Sequence, residues 1–202
     1  MKGHVNTHDK AAAVLAYGPG SEPSTWRPGD FILTHGPTWS HWLIRFGQRL
    51  GSPSQDHRYA HWDHAALVVS EHGDLIESVG GRGVVRSHAA KYRDADYLLV
   101  HITASASARR EAVRFAEWAA AHRTRYGWFS IVSIFFALAT KGRFTFHVDG
   151  QEICSGVVAR ALERTGALFC RAPSHITPAE LAKHYGVETP AAALAAVGQE
   201  GR

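Results

Sequence analysis

The sequence predicts an α+β fold, a small antiparallel sheet packed against helices. Short apolar runs separated by turn signals cluster in the first half of the chain, and helical periodicity dominates the second half. Strands and helices do not alternate as βαβ units, so a parallel sheet is not expected. At 202 residues the chain fits one domain, with or without a tail.

Residues 1–27 read as a flexible lead-in, with PGSEPS and RPGD as turn signals. Phe31 to Thr34 is a short strand. In WSHWLIRFGQRL, residues 39–50, the side chains of Trp39, Trp42, Leu43, Phe46 and Leu50 share one helical stripe. GSPSQDHRYAHWD follows as a loop. HAALVVS, DLIESV and VVRSH then form a meander joined by the turns EHGD and GGRG, and YLLVHI adds a further strand. A helix is expected over 107–122, and the apolar segment WFSIVSIFFALA at 128–139 reads as a core helix. In QEICSGVVARALERTG, residues 151–166, Cys154, Val157, Val158, Ala161 and Leu162 lie on one helical face, with Gly166 as the stop. TPAELAKHYG at 177–186 is a short helix with proline in its first turn. The alanine-rich residues 187–202 form a tail, which leaves 28–186 as the folded domain.

Composition narrows the function. The net charge of +4 is spread thinly, and no basic run interleaves with aromatics, so nucleic acid is not an expected partner. The longest apolar stretch is about twelve residues, short of the roughly 20 that a spanning helix needs, so no integral membrane segment is expected. The amino terminus lacks an apolar core of signal-peptide type. A cytoplasmic location is therefore expected, with delivery to the envelope or outside by another route left open.

Cys154 and Cys170 are the only cysteines, with no CxxC motif. A zinc site would want more ligands at closer spacing. A helix opening at Cys154 would hold the two roughly 20 Å apart, so both read as free thiols suited to a reducing compartment. Cys170, beside Phe169 and Pro173, reads as a small buried residue. His61 and His64 in HWDH would share a metal poorly, because positions i and i+3 of a strand face opposite ways. No metal or cofactor is expected.

Cys154 sits where a helix begins. Unpaired N–H groups and the positive end of the helix dipole stabilise a thiolate there. A catalytic thiol also needs a base, and the base needs a third group to fix its tautomer. His64 opens the strand HAALVVS, and Glu77 lies on the next one. With SEHG as a four-residue hairpin loop, Val69 pairs with Asp74 and His64 with Val79. Glu77 then shares the face of His64 on a diagonal of about 7–8 Å, which its side chain can bridge. A two-residue HG loop would instead move the carboxylate two residues further off.

Several patches resemble one family. RYGWFS followed by DGQEICSGVVARAL resembles the Tyr-x-Trp and Asp-Cys-Ser-Gly blocks of NlpC-type cell-wall peptidases, which belong to the papain-like superfamily. HAALVVSEHGDLIES resembles that family's histidine strand and the strand after it. Here the cysteine block follows the histidine block. The chain therefore resembles circularly permuted members, similar to YiiX-like proteins and more distantly to lecithin:retinol acyltransferase relatives. The resemblance spans about residues 28–185 and implies a circularly permuted papain-like fold. It implies Cys154 as nucleophile, His64 as general base, Glu77 as orienter and Tyr126 beside the oxyanion, with Trp62, Trp128 and Ser155 contacting substrate. Ile153 stands where the family has aspartate, Phe-Ser replaces a glycine pair, and Glu77 replaces the more usual histidine or asparagine. The implied activity is hydrolysis of an amide bond, in a peptide or peptidoglycan stem, through a thioester. A lipid acyltransferase or esterase using the same thiol, and a non-catalytic binding module on the same fold, are the alternatives.

Overall fold

The computed structural model describes residues 13–36, 45, 48, 54–79, 82–122 and 154–188. Its centre is an antiparallel sheet built from β1 (Ala13–Tyr17), β2 (Phe31–Thr34), β3 (His64–Val68), β4 (Asp74–Val79), β5 (Gly83–His88) and β6 (Tyr97–His101). The strand order is β1-β6-β2-β3-β4-β5, and every neighbouring pair is antiparallel. With helices α1 (Ala106–Ala121), α2 (Cys154–Glu163) and α3 (Pro178–His184), this is the α+β architecture expected from the element order.

The central strand β2, FILT, is buried at every residue. A wholly apolar run lets it face packed side chains on both sides of the sheet. On one face Phe31, Leu33, Ala65, Leu67, Ile76 and Val100 meet the helices, through Ala112 and Ala116 of α1 and Val157, Val158 and Leu162 of α2. On the other, Ile32, Ala66, Val68, Leu75 and Leu99 form a smaller cluster flanked by Tyr17, Trp26 and Tyr92. Fully burying one valine or leucine side chain contributes about 1.5–3 kcal/mol, so Val157, Val158 and Leu162 fix α2 firmly to the sheet. The small buried side chains of α1, Ala112, Ala116 and Ala119, allow that helix a close approach.

Local chemistry sets the ends of these elements. Ser105 caps α1, its hydroxyl accepting from the Ala108 N–H at 3.2 Å. Thr177 and Glu180 form a reciprocal capping box at the start of α3, with Pro178 in the first turn. Beyond α2, Gly166 has φ +92°, a left-handed conformation that suits glycine and stops the helix.

The turn between β3 and β4 fixes the register on which the site depends. The Ser70 hydroxyl accepts from the N–H groups of both His72 and Asp74, each at 3.1 Å. Gly73 takes φ +86°, and a Cβ there would lie 3.1 Å from the Trp26 ring. The loop is the four-residue SEHG: Val69 N–H donates to Asp74 O at 2.8 Å, and Ala66 stands opposite Glu77.

Some expectations are corrected. Ala13–Tyr17, placed in a flexible lead-in, forms strand β1 against β6 at the edge of the sheet. Alanine is a poor strand former, but β6 supplies the hydrogen bonds that override propensity. The loop 51–63 contains a 3-10 helix at Ser54–Tyr59. Cys170 is exposed rather than buried, although both cysteines are free thiols as expected. Val187, placed in the tail, is 2% exposed, and its N–H donates to Ala182 O. Of the helix expected over 39–50, only Arg45 and Gln48 are described, and the apolar segment 128–139 lies outside the described residues. Among the described residues, no helix is long and apolar enough to cross a membrane.

Candidate active site

His64 is the first residue of β3, and its ring is mostly enclosed. Its Nε2 lies 2.6 Å from Oε2 of Glu77, which sits on β4 in the diagonal position set by the four-residue turn. Glu77 is fully buried and accepts from three further donors. The Ser87 hydroxyl and the Lys91 ammonium, the latter at 2.9 Å, bond Oε1; the Tyr92 hydroxyl donates to Oε2 at 2.6 Å. A carboxylate offers about four lone-pair sites. All of them are used.

The second ring nitrogen of His64 is left for Cys154, the first residue of α2, with which His64 forms a side-chain hydrogen bond. Cys154 as a residue is half-buried. The backbone N–H groups of Ala65 and Ser155 also bond the sulfur. The first of these comes from β3 and the second from the opening turn of α2, where N–H groups have no intrahelical acceptor. Helix start and strand start therefore converge on one sulfur atom.

The electrostatics follow from this packing. Burial raises the Cys154 pKa, but the charge and hydrogen bond of His64 and the two backbone N–H groups bring it below that of an ordinary thiol. Burial disfavours the His64 imidazolium, yet the Cys154 charge and the bonds to Cys154 and Glu77 overcome it, and the ring is pushed up to about 10. Burial opposes ionisation of Glu77 too, but its bond to His64, the His64 charge and the Ser87 and Tyr92 hydroxyls hold the carboxyl well below the usual range. Tyr92 moves the other way. Burial and then the Glu77 charge lift it above the ordinary phenol range, so it remains a donor. These shifts all favour a thiolate–imidazolium pair backed by a carboxylate.

The backbone leading into His64 is clamped from several directions. Fully buried Asp63 accepts from the Gly36 N–H at 3.1 and 3.2 Å and pairs with Arg45. The Gln48 amide donates to Trp62 O at 2.9 Å and accepts from the Ala179 N–H at 2.8 Å, joining the residue before Asp63 to the start of α3. The His61 ring stacks on His35 with centroids 4.0 Å apart.

The sequence expectations divide accordingly. Cys154, His64 and Glu77 come together. Tyr126 and Trp128 lie outside the described residues. Trp62 and Ser155, expected as substrate contacts, require correction. Trp62 is 1% exposed in the core, where its Nε1 finds no partner among the described residues. The Ser155 side chain is fully buried and donates to Ile176 O at 2.5 Å, so only its backbone N–H serves the site. Sequence reasoning missed Ser87, Lys91 and Tyr92. Ser87 had a usable signal: Glu77 pairs with Val85, which places Ser87 two positions along on the same face. Lys91 and Tyr92 follow in a 3-10 turn at Ala89–Tyr92, where strand periodicity no longer points to a face.

Compared with known proteins, the chain matches no family model, and no curated protein or solved structure shows significant similarity to it.

Proposed function

We propose that the chain is a thiol hydrolase that cleaves an amide bond, with a peptide or a peptidoglycan stem as the substrate class. The observation that carries this reading is the half-buried Cys154 at a helix start, hydrogen-bonded to a His64 that is fixed in turn by buried Glu77. Nucleophile, base and orienter in that relation are what acyl transfer through sulfur requires. The order of the histidine and cysteine blocks, together with an antiparallel sheet against a cysteine helix, is what a permuted papain-like fold would have.

In this reading the Cys154 thiolate attacks the substrate carbonyl carbon. The oxyanion takes up the Cys154 N–H, which lacks an intrahelical acceptor at the first position of α2. Imidazolium His64 gives its proton to the departing nitrogen as the C–N bond breaks, leaving a thioester on Cys154 and a free amine. The now neutral imidazole takes a proton from water. The hydroxide formed attacks the thioester, and the sulfur leaves as thiolate beside a renewed imidazolium.

The test is mass spectrometry of the intact protein after exposure to a panel of acyl donors that includes muropeptides, peptides and lipid esters. The expected result is an acyl adduct on Cys154 from an amide donor, absent in Cys154→Ser. An adduct from lipid esters alone would replace the amidase reading with acyl transfer on lipid. No adduct together with an ordinary thiol titration would mark a binding module.

A further inference from the structure

Glu77 is surrounded by more donors than orientation of an imidazole requires. One carboxylate oxygen and the His64 bond would fix the ring. Instead Oε2 takes both His64 Nε2 and the Tyr92 hydroxyl, each at 2.6 Å, while Oε1 takes Lys91 at 2.9 Å and the Ser87 hydroxyl. The four donors come from β3, β5 and the turn after β5, so no local motif accounts for their meeting. Lys91 reaches a fully buried carboxylate although its own side chain is 49% exposed.

We propose that Ser87, Lys91 and Tyr92 are positioning residues that weaken Glu77 as a proton acceptor, so that His64 stays oriented by the carboxylate and still releases its proton to the leaving group. This rests on the thiol-hydrolase reading for its purpose, though not for its chemistry. A buried carboxylate with one partner would concentrate its charge on that partner and hold the imidazolium proton. Each added donor draws density from the carboxylate, and the Lys91 cation opposes the imidazolium charge directly. Tyr92 has the sharpest effect, because it competes with His64 for one oxygen. Its ring also lies beside the imidazole, with centroids 6.2 Å apart.

Among the described residues, the charged and titratable groups around His64 are few. Cys154 faces it from α2, Glu77 from β4, and Lys91 and Tyr92 from the turn; Asp63, just before β3, is paired with Arg45. Cys154 and Glu77 favour the imidazolium, and the three donors temper Glu77.

The experiment is an NMR titration of the His64 imidazole nitrogens in the full chain, comparing wild type with Tyr92→Phe, Lys91→Met and the double variant. The expected result is a rise of the His64 midpoint by about half to one pH unit in each single variant, and by more in the double. A residue that only supports the fold would lower the melting temperature without moving this midpoint. Lys91→Met alters a half-exposed side chain and keeps the test open if Tyr92→Phe folds poorly. A midpoint that stays at the wild-type value in the folded variants, or that falls, overturns the inference. The imidazole titration does not depend on turnover. A wild-type Cys154 that titrates as an ordinary thiol would defeat the hydrolase reading and leave this measurement readable.

Discussion

His64 opens β3 and Glu77 lies on β4, and their side chains meet at 2.6 Å across a diagonal of the sheet. That contact backs the imidazolium that lowers Cys154, so the thiol should report on it. Wild-type Cys154 is expected to react with iodoacetamide at a lower pH than an ordinary thiol, because its pKa is lowered. In His64→Gln the reaction should return to that of a plain cysteine, rising only above about pH 8. Identical rate profiles for the two proteins would exclude the ion pair.

Cys154→Ser should retain the fold and lose turnover. The side chains are close in size, and the helix face that holds α2 starts at Val157, not at the thiol. A serine hydroxyl beside the same imidazole is not ionised near neutral pH. Acyl-adduct formation is expected to fall by about a thousandfold or more, with circular dichroism unchanged.

Glu77→Gln keeps the shape of the side chain and removes its charge. The amide can still meet one ring nitrogen, but it cannot stabilise an imidazolium, and the Lys91 ammonium loses its counter-charge. Adduct formation should drop by about a hundredfold or more, by analogy with neutralising the carboxylate of a Ser-His-Asp site. The alkaline limb of the pH profile, set by His64 at about 10, should move down. A limb that stays in place would mean that Cys154 alone holds the imidazolium.

The pH dependence of stability has a definite sign. His64 is raised from 6.5, so its contribution is complete below 6.5 and is lost as pH rises through about 10. Cys154 is lowered from 9.0, so its contribution is complete above 9.0 and is lost as pH falls through its folded value. For a thiolate–imidazolium pair the two trends cancel between 6.5 and 9.0, because thiolate plus imidazolium carries as many protons as thiol plus neutral imidazole. The stability gap between wild type and a Cys154→Ser/His64→Gln double variant should therefore be flat and greatest across that window. It should narrow on either side. Thermal melts at half-unit intervals of pH would read this directly, and a gap that peaked near pH 5 would contradict the pairing.

Much of this site was legible from the sequence, for a physical reason. Strand period and turn length together determine which side chains share a face, so His64 and Glu77 could be placed from HAALVVSEHGDLIES alone. Helical period likewise put Cys154 at the head of the buried face of α2. Ala13–Tyr17 was not legible because its strand character comes from pairing with β6 and not from its own residues. Lys91 and Tyr92 were hidden for a similar reason. They reach Glu77 from a 3-10 turn, where no repeat in the sequence points a side chain anywhere. Trp62 misled because an aromatic beside a catalytic histidine suggests a substrate contact, while here it fills the core.

Gln48 offers a test of how the frame holds the site. Its side chain is 4% exposed and bridges Trp62 O and the Ala179 N–H, so one amide ties the approach to His64 to the first turn of α3. The Ala179 N–H lies among the helix-start donors that have no intrahelical acceptor. Gln48→Leu fills the space but leaves that donor and the Trp62 carbonyl buried without partners. Each orphaned group costs about 1–3 kcal/mol, so the variant should melt several degrees lower. Gln48→Glu keeps the acceptor for Ala179 and loses the donor to Trp62, so it should fall between the two in stability at a pH where the carboxylate is ionised. Because Trp62 lies two residues before His64, adduct formation on Cys154 should slow severalfold in Gln48→Leu even where the protein remains folded. An unchanged melting temperature would show that the bridge carries no weight, and an unchanged rate with a lowered melting temperature would separate the frame from the chemistry.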